Sequence, residues 1–127
     1  MSRLTRRVPP AVRVRNDTRG AVLAERAAVA DTFWRRLRGL MGRTALRDGE
    51  GLVIRPCAGV HGFFMRIPVD VLLVGPDGRI LRALTPLRPW SPGGLVPGAR
   101  FAVELPAGTV ARTATRPGDR IVLEPVS

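Results

Sequence analysis

Apolar and polar residues alternate near the start of the chain in the way that half-buried strands require. Val12-Arg13-Val14 alternates, residues 16–20 are rich in turn formers, and Ala21-Val22-Leu23-Ala24 follows as a second apolar segment. Because successive side chains of a strand point to opposite faces of a sheet, this pattern predicts an opening β-hairpin.

The segment from about Asp31 to Met41 has the period of a helix instead. Its apolar residues recur at i, i+1, i+4, i+7 and i+8, and they are Phe33, Trp34, Leu37, Leu40 and Met41. That spacing places them on one face of a helix. Asp31 suits the N-cap, because its carboxylate can accept hydrogen bonds from the first backbone N–H groups. We therefore expect one amphipathic helix docked on the core.

From residue 51 onward the pattern returns to short apolar runs separated by turn formers. The predicted strands are residues 52–54, 61–65, 69–74, 79–84, 101–105 and 120–124. The stretch from Thr85 to Gly98 contains four prolines and three glycines, which predicts an irregular loop, and residues 109–115 are predicted as a short helical or irregular crossing. The fold class is therefore expected to be mainly β (α+β), a small β-barrel or sandwich of about six or seven short strands with one docked helix.

The length of 127 residues suits one domain. We expect residues 1–10 to form a flexible basic arm, since Pro9 and Pro10 oppose regular structure, and residues 11–127 to form the domain. Cys57 is the only cysteine, which excludes a disulfide scaffold. Asp70 interrupts the longest apolar run, which argues against a transmembrane span, and the first twenty residues show no secretory signal. A cytoplasmic location is therefore expected.

The chain carries a formal net charge of +11, and all 21 of its basic residues are arginine. A positive field attracts polyanions without specificity and weakens with added salt. Recognition of bases would need more, such as aromatic side chains interleaved with arginines on one strand face. Only Phe63, Phe64 and Arg66 approach that pattern. A solvated basic surface is the preferred interpretation, and non-specific nucleic-acid binding is kept as an alternative.

Several motifs, taken together, resemble one known family. Gly39-Leu40-Met41-Gly42-Arg43 is similar to the GLM-x-R signature of the DUF192 family (COG1430). The other matching segments are the block of His61, Phe64, Met65, Arg66, Pro68 and Asp70, the segment Glu104-Leu105-Pro106-Ala107-Gly108, and Pro117-Gly118-Asp119. The match runs from about Val12 to Leu123 in the right order and spacing. The resemblance implies a compact, mainly β domain, and it implies no reaction or cofactor, because the family is named for having no assigned function.

Asp70 is the most informative polar residue, because it lies inside the apolar run 69–74, which predicts a strand buried on both faces. An ionised carboxylate there is costly unless it is paired or hydrogen-bonded. Two roles are open. Asp70 anchors a turn or bulge through backbone N–H groups, or it forms with Arg66 the polar floor of a pocket. The anchoring role is favoured, because buried ion pairs are often structural.

Cys57 and His61 are the only cysteine and the only histidine, and they are four residues apart. A closed zinc site needs four ligands, so Asp70 or Glu104 would have to complete an unusual set. A nucleophilic set of Cys57, His61 and Asp70 would make the chain a hydrolase or a metal-dependent enzyme. No helix N-terminus is predicted beside Cys57 to activate the thiol. The enzyme is therefore kept as an alternative, and no cofactor is predicted.

A binding site is the preferred interpretation of the remaining residues. If residues 61–65 form a strand, Phe64 and Arg66 lie on one face of it and His61 on the other. One of these faces, with Trp90 from the proline-rich loop, would form a shallow apolar groove with an arginine rim, although Trp90 would serve equally as a plug for the barrel mouth. Such a groove suits a peptide, a lipid-like tail or a carboxylate ligand. We therefore predict a non-catalytic domain that binds a small ligand or a protein partner, with His61, Phe64, Arg66, Asp70 and Trp90 as its ligand-binding residues.

Overall fold

The computed structural model describes residues 11–30, 46–56, 59–60, 67–88 and 94–126 of the chain. These residues form nine strands and one short helix. The strands are β1 (Ala11–Asn16), β2 (Ala21–Ala30), β3 (Glu50–Ile54), β4 (Gly59–Val60), β5 (Val69–Val74), β6 (Ile80–Leu87), β7 (Gly94–Leu95), β8 (Phe101–Pro106) and β9 (Ile121–Pro125), and the helix is α1 (Thr109–Arg112). The prediction of a mainly β chain is confirmed.

Seven of the strands form one curled sheet in the order β6-β5-β8-β3-β2-β1-β9, which makes a half-barrel. All neighbouring pairs in it are antiparallel except β2 and β3, which run parallel. A parallel pair needs a crossover rather than a tight turn, and residues 31–49 supply the connection between these two strands. The remaining strands, β4 and β7, form a separate antiparallel ribbon.

The two edges of the curled sheet meet at one end, which we call the seam. Arg79, just before β6, and Arg120, just before β9, form an isolated antiparallel bridge. The Ile80 N–H donates to the Asp119 carbonyl at 2.9 Å, and the Gly118 N–H donates to the Ile80 carbonyl at 2.8 Å. Because these bonds join residues 38 or more positions apart in the chain, the closure of the sheet depends on its overall curvature.

The central strands of the sheet, β3, β5 and β8, are buried on both faces. The inner core contains residues from both edges and the middle of the sheet, which places it on the concave side: Val14, Leu23, Ala24, Ala27, Val29, Val53, Leu72, Val74, Ile80, Val103, Leu105, Val110 and Ile121. The outer core covers the other face of the central strands: Ala30, Leu52, Ile54, Val69, Val71, Leu73, Leu87, Ala99 and Ala102. All six residues of β5 are buried, which confirms the predicted strand with two buried faces.

One predicted loop is partly wrong. Residues from Thr85 to Gly98 were expected to be irregular, but β6 continues to Leu87 and residues Gly94–Leu95 form β7. Pro86 is compatible with a strand here because β6 is at the edge of the sheet, where one side of the backbone needs no ladder hydrogen bond. The proline content of this stretch therefore marks an edge strand as well as a loop.

The other local predictions have mixed outcomes. The opening hairpin of β1 and β2 is confirmed, and β2 extends beyond the predicted end to Ala30. The crossing after β8 contains α1. Three predicted segments lie outside the described residues: the helix from Asp31 to Met41, the whole strand 61–65 and the arm of residues 1–10. The division into an arm and a single domain stays a prediction.

Candidate functional site

The ribbon of β4 and β7 connects two parts of the chain that contain predicted ligand-binding residues. Val60 pairs with Gly94 in this ribbon, and Gly59 pairs with Leu95. His61 follows Val60 directly, and Trp90 precedes Gly94 by four residues. The segment with His61 therefore follows one strand of the ribbon, and the segment with Trp90 precedes the other strand.

Two exposed neighbours in β6, Leu81 and Arg82, and the exposed Leu95 of the adjoining ribbon are here called the outer patch. Leu95 is 75% exposed and Leu81 is 42% exposed, and Val22 is the only other large hydrophobic residue with high exposure among the described residues. A Cβ placed on Gly98 would lie 3.9 Å from Leu81 Cδ1, and one placed on Gly94 would lie 2.8 Å from Arg82 Nη1. Leu95 follows Gly94 in β7, so its side chain projects to the opposite face of the ribbon from the one that Arg82 approaches.

The position of Arg82 follows from the register of β6. Arg82 pairs with Leu73 of β5, and Leu73 belongs to the outer core. Since register partners project to the same face of a sheet, Arg82 lies on the outer face, where the β4–β7 ribbon meets it. A bulge between β5 and β6 interrupts the regular alternation next to Leu81. This bulge accounts for consecutive exposed side chains at Leu81 and Arg82.

Most of the predicted site residues lie outside the described part of the chain. They are His61, Phe64, Arg66 and Trp90, together with Cys57 of the alternative catalytic set. Their spatial relation to one another therefore stays a prediction. Asp70 is the one predicted ligand-binding residue that the structure describes.

Asp70 anchors α1 through the backbone, as the favoured alternative requires. Its side chain is 2% exposed, and its Oδ2 accepts hydrogen bonds from the N–H groups of Val110 at 2.9 Å and Gly108 at 3.1 Å. Burial raises the pKa of Asp70, while the bonds from Val110 and Gly108 and the nearby charge of Arg112 oppose this increase. The carboxylate therefore holds α1 against the inner core, where Val110 is also buried. A role in ligand binding stays a prediction.

Glu104 is a second buried acid, and it lies on the opposite face of the sheet. It is 4% exposed, and its register partners are Leu52 and Val71 of the outer core. Asp70 instead pairs with Leu105 of the inner core. Neighbouring residues of a strand point to opposite faces, so Asp70 and Glu104 do not contribute to one ligand set. The described residues contain no group of three or more Cys, His, Asp or Glu side chains arranged to hold a metal ion.

A third buried acid, Asp119, ties the first hairpin to the seam. Its Oδ2 accepts hydrogen bonds from Asn16 Nδ2 and Arg19 Nε, each at 3.0 Å, and from the Arg116 N–H at 3.1 Å. The Asn16 amide also donates to Thr115 Oγ1. Burial opposes ionisation of Asp119, but these hydrogen bonds outweigh it and hold its pKa below the usual value. This cluster is a structural clamp on the sheet edges.

The comparison with known families decides the classification. The family model of DUF192, described as uncharacterized ACR, COG1430, matches residues 14–123. The chain belongs to the DUF192 family. A UPF0127 protein of Thermococcus sibiricus is 31% identical over 112 residues, which cover 84% of this chain and 71% of the relative. A UPF0127 protein of Pyrococcus furiosus is 33% identical over 109 residues, which cover 84% of this chain and 93% of the relative.

Two solved structures share the fold of this DUF192 chain. A protein of unknown function from Novosphingobium aromaticivorans is 28% identical, with a TM-score of 0.75 over 88% of this chain and 83% of that one. A protein from Sinorhizobium meliloti is 24% identical, with a TM-score of 0.76 over 90% of this chain and 92% of that one, and this likeness concerns the fold alone. Among the helices that the structure describes, none is long and apolar enough to span a bilayer.

The DUF192 motifs that the structure describes place three acids in buried positions. Asp70 holds α1, Asp119 holds the seam, and Glu104 lies against the outer core. The residues of the outer patch belong to none of the quoted motifs. Arg82 was missed by the sequence reasoning because its contact with Gly94 joins residues 12 positions apart across an unpredicted strand. In the sequence, the one signal of this patch was an apolar residue, Leu95, within a stretch of prolines and glycines.

Proposed function

We propose that this chain is a non-catalytic binding domain, and that the outer patch forms part of its binding surface. The carrying observation is the exposure of Leu81, next to Arg82 in β6, and of Leu95 in the ribbon that Arg82 approaches. Exposed apolar side chains that cluster, rather than occurring singly, are typical of interaction sites. The ligand is a small molecule with an apolar part, or a partner that presents one.

We propose that the predicted residues extend this surface, because they adjoin the β4–β7 ribbon in the chain. His61, Phe64 and Arg66 follow β4 in the chain, and Trp90 precedes β7. In this proposal Phe64 and Trp90 add to the apolar lining that small-ligand sites use, and the arginines supply the polar rim. The proposal is therefore that both segments border the outer patch.

The alternative of an enzyme that uses Cys57, His61 and Asp70 has less support. Asp70 is 2% exposed, and its Oδ2 is occupied by two backbone N–H groups of α1. In a catalytic set, Asp70 would have to contact the base or a metal ligand. Its hydrogen bonds to the backbone of α1 argue against that catalytic role. No observation in the described residues favours specific recognition of nucleic acid.

The test uses N-phenyl-1-naphthylamine, an uncharged apolar dye whose fluorescence rises when it is bound. We expect the wild-type chain to bind it, and we expect Leu95→Ser and Leu81→Ser to bind it more weakly. Losing part of one leucine contact costs about 1 kcal/mol, which is about a fivefold loss of affinity. The matched control is Val22→Ser, since Val22 is 41% exposed but lies on β2, away from the ribbon.

Thermal unfolding of each variant checks that the fold is retained, because exposed positions tolerate such changes. The proposal is overturned if the wild-type chain does not bind the dye. It is also overturned if Val22→Ser weakens binding as much as Leu95→Ser does, because the dye would then be reporting general surface hydrophobicity.

A further inference from the structure

We draw no further inference here: the strongest candidate, the Glu104 carboxylate buried against the outer core between β3 and β5, carries no proposal because nothing in the described part of the chain shows what covers that side of the sheet.

Discussion

Replacing Asp70 with alanine removes the acceptor of two backbone hydrogen bonds that hold α1 on the inner core. The Val110 N–H is buried, so losing its partner costs about 1–3 kcal/mol. The Gly108 N–H belongs to an exposed residue that water can reach, so its loss costs about 0.5–1.5 kcal/mol. We therefore expect Asp70→Ala to lower the free energy of unfolding by about 2–4 kcal/mol. Asp70→Asn keeps an oxygen acceptor in place and should recover most of this loss.

Equilibrium unfolding in guanidinium chloride at pH 7 measures these differences, provided that the denaturant slope is the same in all variants. Asp77→Ala is the matched control, because Asp77 also accepts a backbone N–H, from Arg79 at 3.1 Å, but at an exposed position. Its expected cost is below about 1 kcal/mol. The reasoning fails if Asp70→Ala costs no more than Asp77→Ala, or if Asp70→Asn is as unstable as Asp70→Ala.

The pH dependence gives an independent check on Asp70. Burial raises its pKa above the usual value of 3.8, so the folded chain binds this proton more tightly than the unfolded chain does. Ionisation of Asp70 therefore costs stability as the pH rises from 3.8 through the folded pKa, and the cost is constant above it. Since Asp70→Asn does not ionise, its stability relative to the wild type should increase across this window. A relative stability that falls with rising pH would contradict the assignment.

Two further predictions concern the seam. Because the pKa of Asp119 is lowered, its ionised form stabilises the fold above pH 3.8, and this contribution is lost as the pH falls through the folded pKa. Asp119→Asn should therefore flatten the acid side of the curve of unfolding free energy against pH. An unchanged acid side would contradict this prediction. Gly78→Ala should cost about 1–3 kcal/mol more than Gly118→Ala. Both glycines have positive φ, at 86° and 94°, but only a Cβ on Gly78 would meet a backbone atom, the Ile121 oxygen at 2.9 Å. Equal thermal unfolding midpoints for Gly78→Ala and Gly118→Ala would refute a tight seam.

The strands were predictable where their signals are local. The opening hairpin follows from the alternation around Val12 and the turn formers after it, and β5 follows from its unbroken apolar run. Alternation and turn chemistry act over a few residues, so they are readable in a single sequence. The anchoring role of Asp70 was predictable for a similar reason, since a carboxylate in a strand buried on both faces must find hydrogen-bond donors.

The register between distant strands could not be predicted in the same way. The parallel pairing of β2 with β3 and the bridge between Arg79 and Arg120 depend on how the whole sheet curls. The end of β6 depends on its place at the sheet edge, where Pro86 is tolerated. Each of these features is a contact between segments that no periodic pattern connects.

The sequence by itself determined the mainly β character, the family motifs and the need to satisfy a buried carboxylate, because each depends on residues close together in the chain. Only the tertiary structure decided that Asp70 and Glu104 face opposite sides of the sheet, and that Arg82 lies against Gly94. A shift of one residue in strand register turns every side chain to the other face. The composition of a site on this sheet is therefore set by pairing across distant strands.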